Sequence, residues 1–158
     1  MNFTVQPMDR DGALEISRWT YDTPYDLYNM DNSNEGISEL LNETYFKILD
    51  ERDLIGYCCF GDSAKVPIGT QHGAYPENGT IDFGLGMRPD LTGHGRGRTF
   101  VNTILEFAQS EFQAKLFRLT VAEFNDRAIT VYKKLGFEPV MVFPRGDIEF
   151  LTMEMRTT

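Results

Sequence analysis

The chain has 158 residues, of which 41% are hydrophobic and 25% charged, with 12 Phe, 7 Tyr and one Trp. This length fits one domain over residues 1–158, and so many aromatic residues exclude a disordered chain, whose defining lack is apolar surface to bury. The 24 acidic against 15 basic residues give a net charge of −9, which repels nucleic acid and draws cationic molecules such as amines.

No segment approaches the roughly 20 apolar residues of a membrane helix. The opening Met1-Asn2-Phe3-Thr4-Val5 lacks a basic stretch followed by an apolar run, so a cytoplasmic location with no membrane partner is expected. The only cysteines, Cys58 and Cys59, are adjacent. Neighbours on a strand point to opposite faces, so the two read as buried core thiols of a reducing compartment rather than a disulfide.

In chain order, Phe3–Met8 reads as a first strand and Gly12–Trp19 as a helix with Ala13 and Ile16 on one side. The aromatic, proline-broken stretch Trp19–Asn29 has no helical period. A short helix is expected near Ser33–Leu41, capped by Ser33 or Asn34. Strands follow at Tyr45–Asp50 and Leu54–Phe60, then a loop over Asp62–Asn78, rich in Gly and Pro. Thr80–Arg88 reads as a fourth strand, stopped by Pro89. Phe100, Ile104, Leu105, Ala108 and Phe112 predict a helix over Arg98–Phe112. Leu116–Ala122 alternates as a strand. Asp126–Leu135 reads as a helix between the N-cap Asn125 and the stop at Gly136. Phe137–Phe143 and Ile148–Met155 close the chain as strands around Pro144-Arg145-Gly146-Asp147. The order is that of a mixed α/β domain.

The most informative segment is Leu91-Thr92-Gly93-His94-Gly95-Arg96-Gly97-Arg98, between a strand and a helix. Glycine permits positive φ and keeps side chains away from a ligand. The first N–H groups of the helix lack internal partners and carry partial positive charge. Together they form an anion site suited to phosphate or pyrophosphate. The mononucleotide loop Gly-x4-Gly-Lys-[Ser/Thr] is absent, and the strict alternation of Gly93, Gly95 and Gly97 departs from the dinucleotide pattern Gly-x-Gly-x-x-Gly.

This turn resembles the [Gln/Arg]-x-x-Gly-x-[Gly/Ala] hallmark of the GNAT N-acetyltransferases, matched at Thr92-Gly93-His94-Gly95-Arg96-Gly97. Downstream, Asn125 and Tyr132, followed by Leu135-Gly136-Phe137, are similar to the family's Asn-x6-Tyr…Leu-Gly-Phe pattern. The resemblance implies a mixed, mostly antiparallel sheet of about seven strands flanked by helices and splayed between strands 4 and 5. It implies acetyl-CoA as co-substrate and an amine acceptor. His72, His94 and the cysteine pair lack metal-ligand spacing, so no metal is expected. With no Ser-His-Asp or Cys-His constellation, the acceptor is expected to attack directly in a ternary complex. The departures are Thr92 for Gln or Arg, and Arg96 where an aliphatic residue is common.

By the same resemblance, Gly93, His94, Gly95, Arg96, Gly97 and Arg98 hold the pyrophosphate, with Arg98 adding a charged bond. Leu85, Gly86 and Met87 pair with the pantetheine arm, and the Met87 N–H polarises the thioester carbonyl. Asn125 reaches the pantetheine amides. Tyr132, a phenol of ordinary pKa about 10, protonates the departing CoA thiolate. Thr120 stands where some relatives carry a basic Glu, leaving Asp82 or Glu123 as the candidate base. Trp19, Tyr21, Tyr25 and Asp26 lie where the family builds its acceptor site, suited to a cation by π faces and charge. A non-catalytic acyl-CoA-sensing module of the same fold is the alternative. Exposed strand edges also suit a homodimer.

Overall fold

Period-two alternation and helical spacing resolve into seven strands and five α-helices in the computed structural model, which describes residues 2–157. The strands are β1 (Phe3–Pro7), β2 (Tyr45–Asp50), β3 (Asp53–Phe60), β4 (Ile81–Met87), β5 (Leu116–Ala122), β6 (Glu138–Arg145) and β7 (Ile148–Arg156). The helices are α1 (Arg10–Ser17), α2 (Asn34–Leu40), α3 (Pro67–Gln71), α4 (Gly97–Phe112) and α5 (Asp126–Leu135). The sheet order is β1-β2-β3-β4-β5-β7-β6. The pairs β1–β2, β2–β3, β5–β7 and β6–β7 are antiparallel, and β4–β5 is parallel. A parallel pair needs a crossover, and α4 is the helix between these two strands. The β4–β5 ladder joins Ile81 to Phe117 and Asp82 to Arg118, at the start of β4. The mixed, mostly antiparallel sheet expected from the sequence is therefore observed.

The chain divides into two compact units, Met1–Cys59 with Leu85–Arg96, and Phe60–Gly84 with Gly97–Thr158. In the first unit, the Asp9 carboxylate accepts from the Gly12 N–H at 2.8 Å, capping α1. This cap starts the helix two residues before the expected Gly12. Ser33 caps α2 in the same manner, its hydroxyl accepting from the Gly36 N–H. Ala13, Ile16, Leu40, Ile48 and Ile55 form the apolar core there, with Tyr57 and both cysteines buried beside them. Burial pushes the Cys58 thiol far above its ordinary pKa, so it stays protonated.

In the second unit, α4 buries Phe100, Val101, Ile104, Leu105 and Ala108, one stripe at helical spacing. Phe83, Phe117, Phe137, Phe143, Phe150 and Met153 complete the core. The start and stop of α5 follow the sequence reading: the Asn125 side chain accepts from the Ala128 N–H, and Gly136 takes φ +109.

Two expectations are corrected. The stretch Asp62–Asn78 is not a simple loop: it holds a 3-10 turn at Gly61–Ala64 and the helix α3. Pro67 starts that helix with φ already set, and Gly69 is required by packing, since a Cβ there would lie 2.8 Å from the rings of Phe143 and Tyr75. Second, β6 runs through Pro144 to Arg145, leaving Gly146-Asp147 as the turn. An edge strand tolerates proline because one side of it needs no ladder donor. No helix among the described residues is long and apolar enough to cross a membrane.

Candidate active site

In the first unit the site residues lie on the end of β4 and the turn that follows. Gly86 is a glycine because of crowding: a Cβ there would sit 2.2 Å from Cε1 of the buried Tyr57 ring. The next peptide link, Met87–Arg88, is held at both polar atoms. Its N–H donates to the Ile55 carbonyl at 2.7 Å, and its oxygen accepts from the Tyr21 phenol at 2.6 Å. The Arg88 guanidinium donates to the Leu54 carbonyl and to the Asp90 carboxylate. A 3-10 turn at Pro89–Leu91 follows, closed by the Thr92 hydroxyl donating to the Pro89 carbonyl at 2.8 Å. Thr92 thus serves the turn's own geometry.

Gly93 and Gly95 take φ +76 and +78, the left-handed region that side chains disfavour. A Cβ on Gly95 would meet no atom within 4 Å, so conformation rather than crowding calls for glycine there. Among the described residues, the N–H groups of Gly93, His94, Gly95 and Arg96 donate to no protein atom. Gly93, His94 and Gly95 are exposed, and Arg96 is half-buried.

In the second unit, Gly97 opens the 16-residue α4. The N–H groups of that first turn have no helical partner and face outward along the dipole. A Cβ on Gly97 would approach Val131 Cγ2 to 3.1 Å, so the start of α4 lies close against α5, one residue before Tyr132. Arg98 is exposed, and among the described residues no ion pair engages Arg96 or Arg98. Tyr132 is 7% exposed, its ring edge-on to Phe137 at 6.1 Å. The carbonyl of Asn125 accepts from the Ile129 N–H while its side chain caps the helix.

The carboxylates differ sharply. Asp82 is 4% exposed, and both of its oxygens accept from Arg118, at 2.7 and 2.8 Å; Arg118 itself is 2% exposed. Arg118 also donates to the Pro76 carbonyl and lies 5.2 Å over the Tyr75 ring. The Asp82 bonds raise the guanidinium's pKa against the burial that lowers it. Glu123, just past β5, is exposed, and its hydrogen bond with Glu149 raises its carboxyl pKa. At the remaining position, the Thr120 hydroxyl bonds the Tyr75 phenol at 2.8 Å, and that phenol accepts from the Val66 N–H. Thr120 therefore ties the 60–84 segment to β5.

Of the acceptor candidates, Trp19 packs against Tyr57 with ring centroids 6.5 Å apart and is nearly covered. Tyr21 reaches Met87. Tyr25 is half-buried and Asp26 exposed, both in a 3-10 turn at Tyr25–Tyr28. Sequence reasoning did not find Tyr57, Tyr75 or Arg118. Arg118 carried a readable signal, a lone charge between Phe117 and Leu119, because a charge in a buried strand demands a partner. The two tyrosines carried none.

The model of the acetyltransferase (GNAT) family matches residues 11–137. Among solved structures, a GNAT-family acetyltransferase from Bacillus anthracis is 14% identical, with 99% of this chain and 95% of that chain covered and a TM-score of 0.73. A chimeric spermidine N-acetyltransferase from Vibrio cholerae and hSSAT is 19% identical, with 99% and 96% covered and a TM-score of 0.75. An aminoglycoside acetyltransferase in complex with coenzyme A is 18% identical, with 98% and 95% covered and a TM-score of 0.73. At such identities the likeness speaks for the fold alone. No curated protein matches the sequence.

Proposed function

The chain belongs to the acetyltransferase (GNAT) family, and on that premise we propose that it moves an acetyl group from acetyl-CoA to a primary amine of a small molecule or peptide. The observation that carries this reading is the turn at Gly93–Arg96. Its glycines hold left-handed backbone, its N–H groups donate to no protein atom among the described residues, and it runs into the first turn of α4. Main-chain donors at a helix start suit the CoA diphosphate, and Arg98 adds a cation.

The amine nitrogen attacks the thioester carbonyl carbon, the oxyanion is held by the Met87 N–H, and the C–S bond breaks. The sulfur leaves as thiolate and takes the proton of the Tyr132 phenol. The proton lost by the attacking nitrogen passes through water to a carboxylate. Glu123 is the exposed candidate for that role, hydrogen-bonded to Glu149, whereas Asp82 has both oxygens committed to Arg118. The attack is direct, in a ternary complex. Asn125 binds the pantetheine amides. Trp19, Tyr21, Tyr25 and Asp26 remain the acceptor candidates, of which Tyr25 and Asp26 are the more accessible. The amine acceptors named for the similar structures, spermidine and aminoglycosides, are both polycations, the class that a −9 chain attracts.

One observation favours a second reading, an acyl-CoA sensor without turnover: Thr120 and Asp82 are both consumed by structural bonds. Free CoA thiol, measured after mixing acetyl-CoA with a panel of polyamines, aminoglycosides, amino acids and peptides, separates the two. Transfer to at least one amine is expected, falling by roughly 10²–10⁴ in Tyr132→Phe. Acetyl-CoA binding with no acetylated amine would favour the sensor. Full turnover in Tyr132→Phe would remove Tyr132 from the chemistry.

A further inference from the structure

Tyr21 sits in the segment assigned to acceptor recognition, yet its hydroxyl is spent elsewhere. It donates to the Met87 carbonyl at 2.6 Å, across 66 residues of sequence. Burial raises the pKa of this phenol far above its ordinary value, so it remains a donor at every working pH. Its own main chain is fixed too: the Tyr21 N–H donates to the Asn29 side-chain oxygen at 2.7 Å, closing the 21–29 segment on itself.

At the receiving end, the Met87–Arg88 peptide is gripped from both sides, by Tyr21 at the oxygen and by the Ile55 carbonyl at the N–H. A donor on the oxygen polarises the peptide and strengthens the bond its N–H makes. On the other flank of Met87, Gly86 lies flush on the Tyr57 ring, with no room for even a methyl group. The direction of the Met87 N–H is therefore set by constraints on the residue before it and the peptide after it. An oxyanion donor works only where its aim is fixed before the charge develops.

We propose that Tyr21 is a positioning residue for acyl transfer: its phenol fixes the Met87 carbonyl and so aims the Met87 N–H at the thioester oxygen. This rests on the acetyl-transfer reading above. It removes the Tyr21 hydroxyl from acceptor recognition, makes Tyr21 a brace for β4 and leaves Tyr25 and Asp26 to the acceptor.

Tyr21→Phe keeps the ring and deletes only the bond. The loss of one such hydrogen bond predicts a fall of about three- to tenfold in kcat. That fall should be the same for every amine and for the slow hydrolysis of acetyl-CoA without amine, with the acceptor KM unchanged. Asn29→Ala, which loosens Tyr21 without touching Met87, should fall in the same pattern by less. In parallel, the infrared carbonyl band of bound acetyl-CoA labelled with 13C at the acetyl carbonyl should move in Tyr21→Phe toward its position in free acetyl-CoA. A rise in KM confined to certain amines would make Tyr21 an acceptor contact and overturn the proposal, as would unchanged kcat with an unchanged band. If the wild-type chain binds acetyl-CoA but acetylates nothing, the transfer reading falls, and the band then decides only whether Tyr21 aims the Met87 N–H at the thioester oxygen. If it binds no acetyl-CoA, both fall.

Discussion

Replacing Asp82 by Ala separates a structural carboxylate from a chemical one. In the wild-type chain, Arg118 is 2% exposed and Asp82 4%, joined by two bonds at the last rung of the β4–β5 ladder. Removing Asp82 leaves a buried guanidinium with the Pro76 carbonyl at 3.4 Å, the Tyr75 ring and the unbonded charge of Glu154, its partner across the β5–β7 ladder. Breaking a buried pair from one side costs about 3–5 kcal/mol, because the surviving charge stays out of water and loses its hydrogen-bonded partner. For a chain of this length, 1 kcal/mol shifts Tm by about 2–4 °C, so Asp82→Ala should melt roughly 6–20 °C lower. Urea unfolding followed by circular dichroism should give the same free energy. The double variant Asp82→Leu/Arg118→Met should recover most of it, since two apolar groups of similar volume need no pairing. Acetyl transfer, measured well below the lowered Tm, should stay within about tenfold of wild type, short of the loss that deleting a general base brings. A stability loss under about 1 kcal/mol, combined with abolished transfer, would refute the structural assignment and return Asp82 to the chemistry.

Two glycines give further tests. In Gly86→Ala the new methyl would overlap the Tyr57 ring, which is buried and flanked by Trp19 and Tyr45. Overpacking of about 1–3 kcal/mol should outweigh the roughly 0.4–1 kcal/mol that Ala gains by restricting the unfolded chain, so Tm falls; a rise in Tm would show that the ring yields freely. In Gly95→Ala the space is open and only the left-handed backbone resists, at about 1–2 kcal/mol. Calorimetry should show weakened CoA binding, because the strain falls on the turn that offers its N–H groups to the diphosphate. Unchanged CoA affinity together with a lowered Tm would detach this turn from the ligand.

The sequence alone determined what depends on near neighbours along the chain. Helical spacing of Phe100, Ile104, Leu105 and Ala108 located α4, and Asn125 with Gly136 bounded α5, because caps and periodicity are local physics. The alternating glycines marked a turn with free N–H groups, since left-handed backbone is written into glycine itself. Tertiary structure decided the rest. That Gly69 and Gly86 are demanded by aromatic rings, that Asp82 is tied to Arg118, and that Tyr21 is spent on Met87 all depend on residues distant in sequence. A phenol's partner or a carboxylate's availability is set by what folding brings within about 3 Å, and composition and spacing carry no record of that distance.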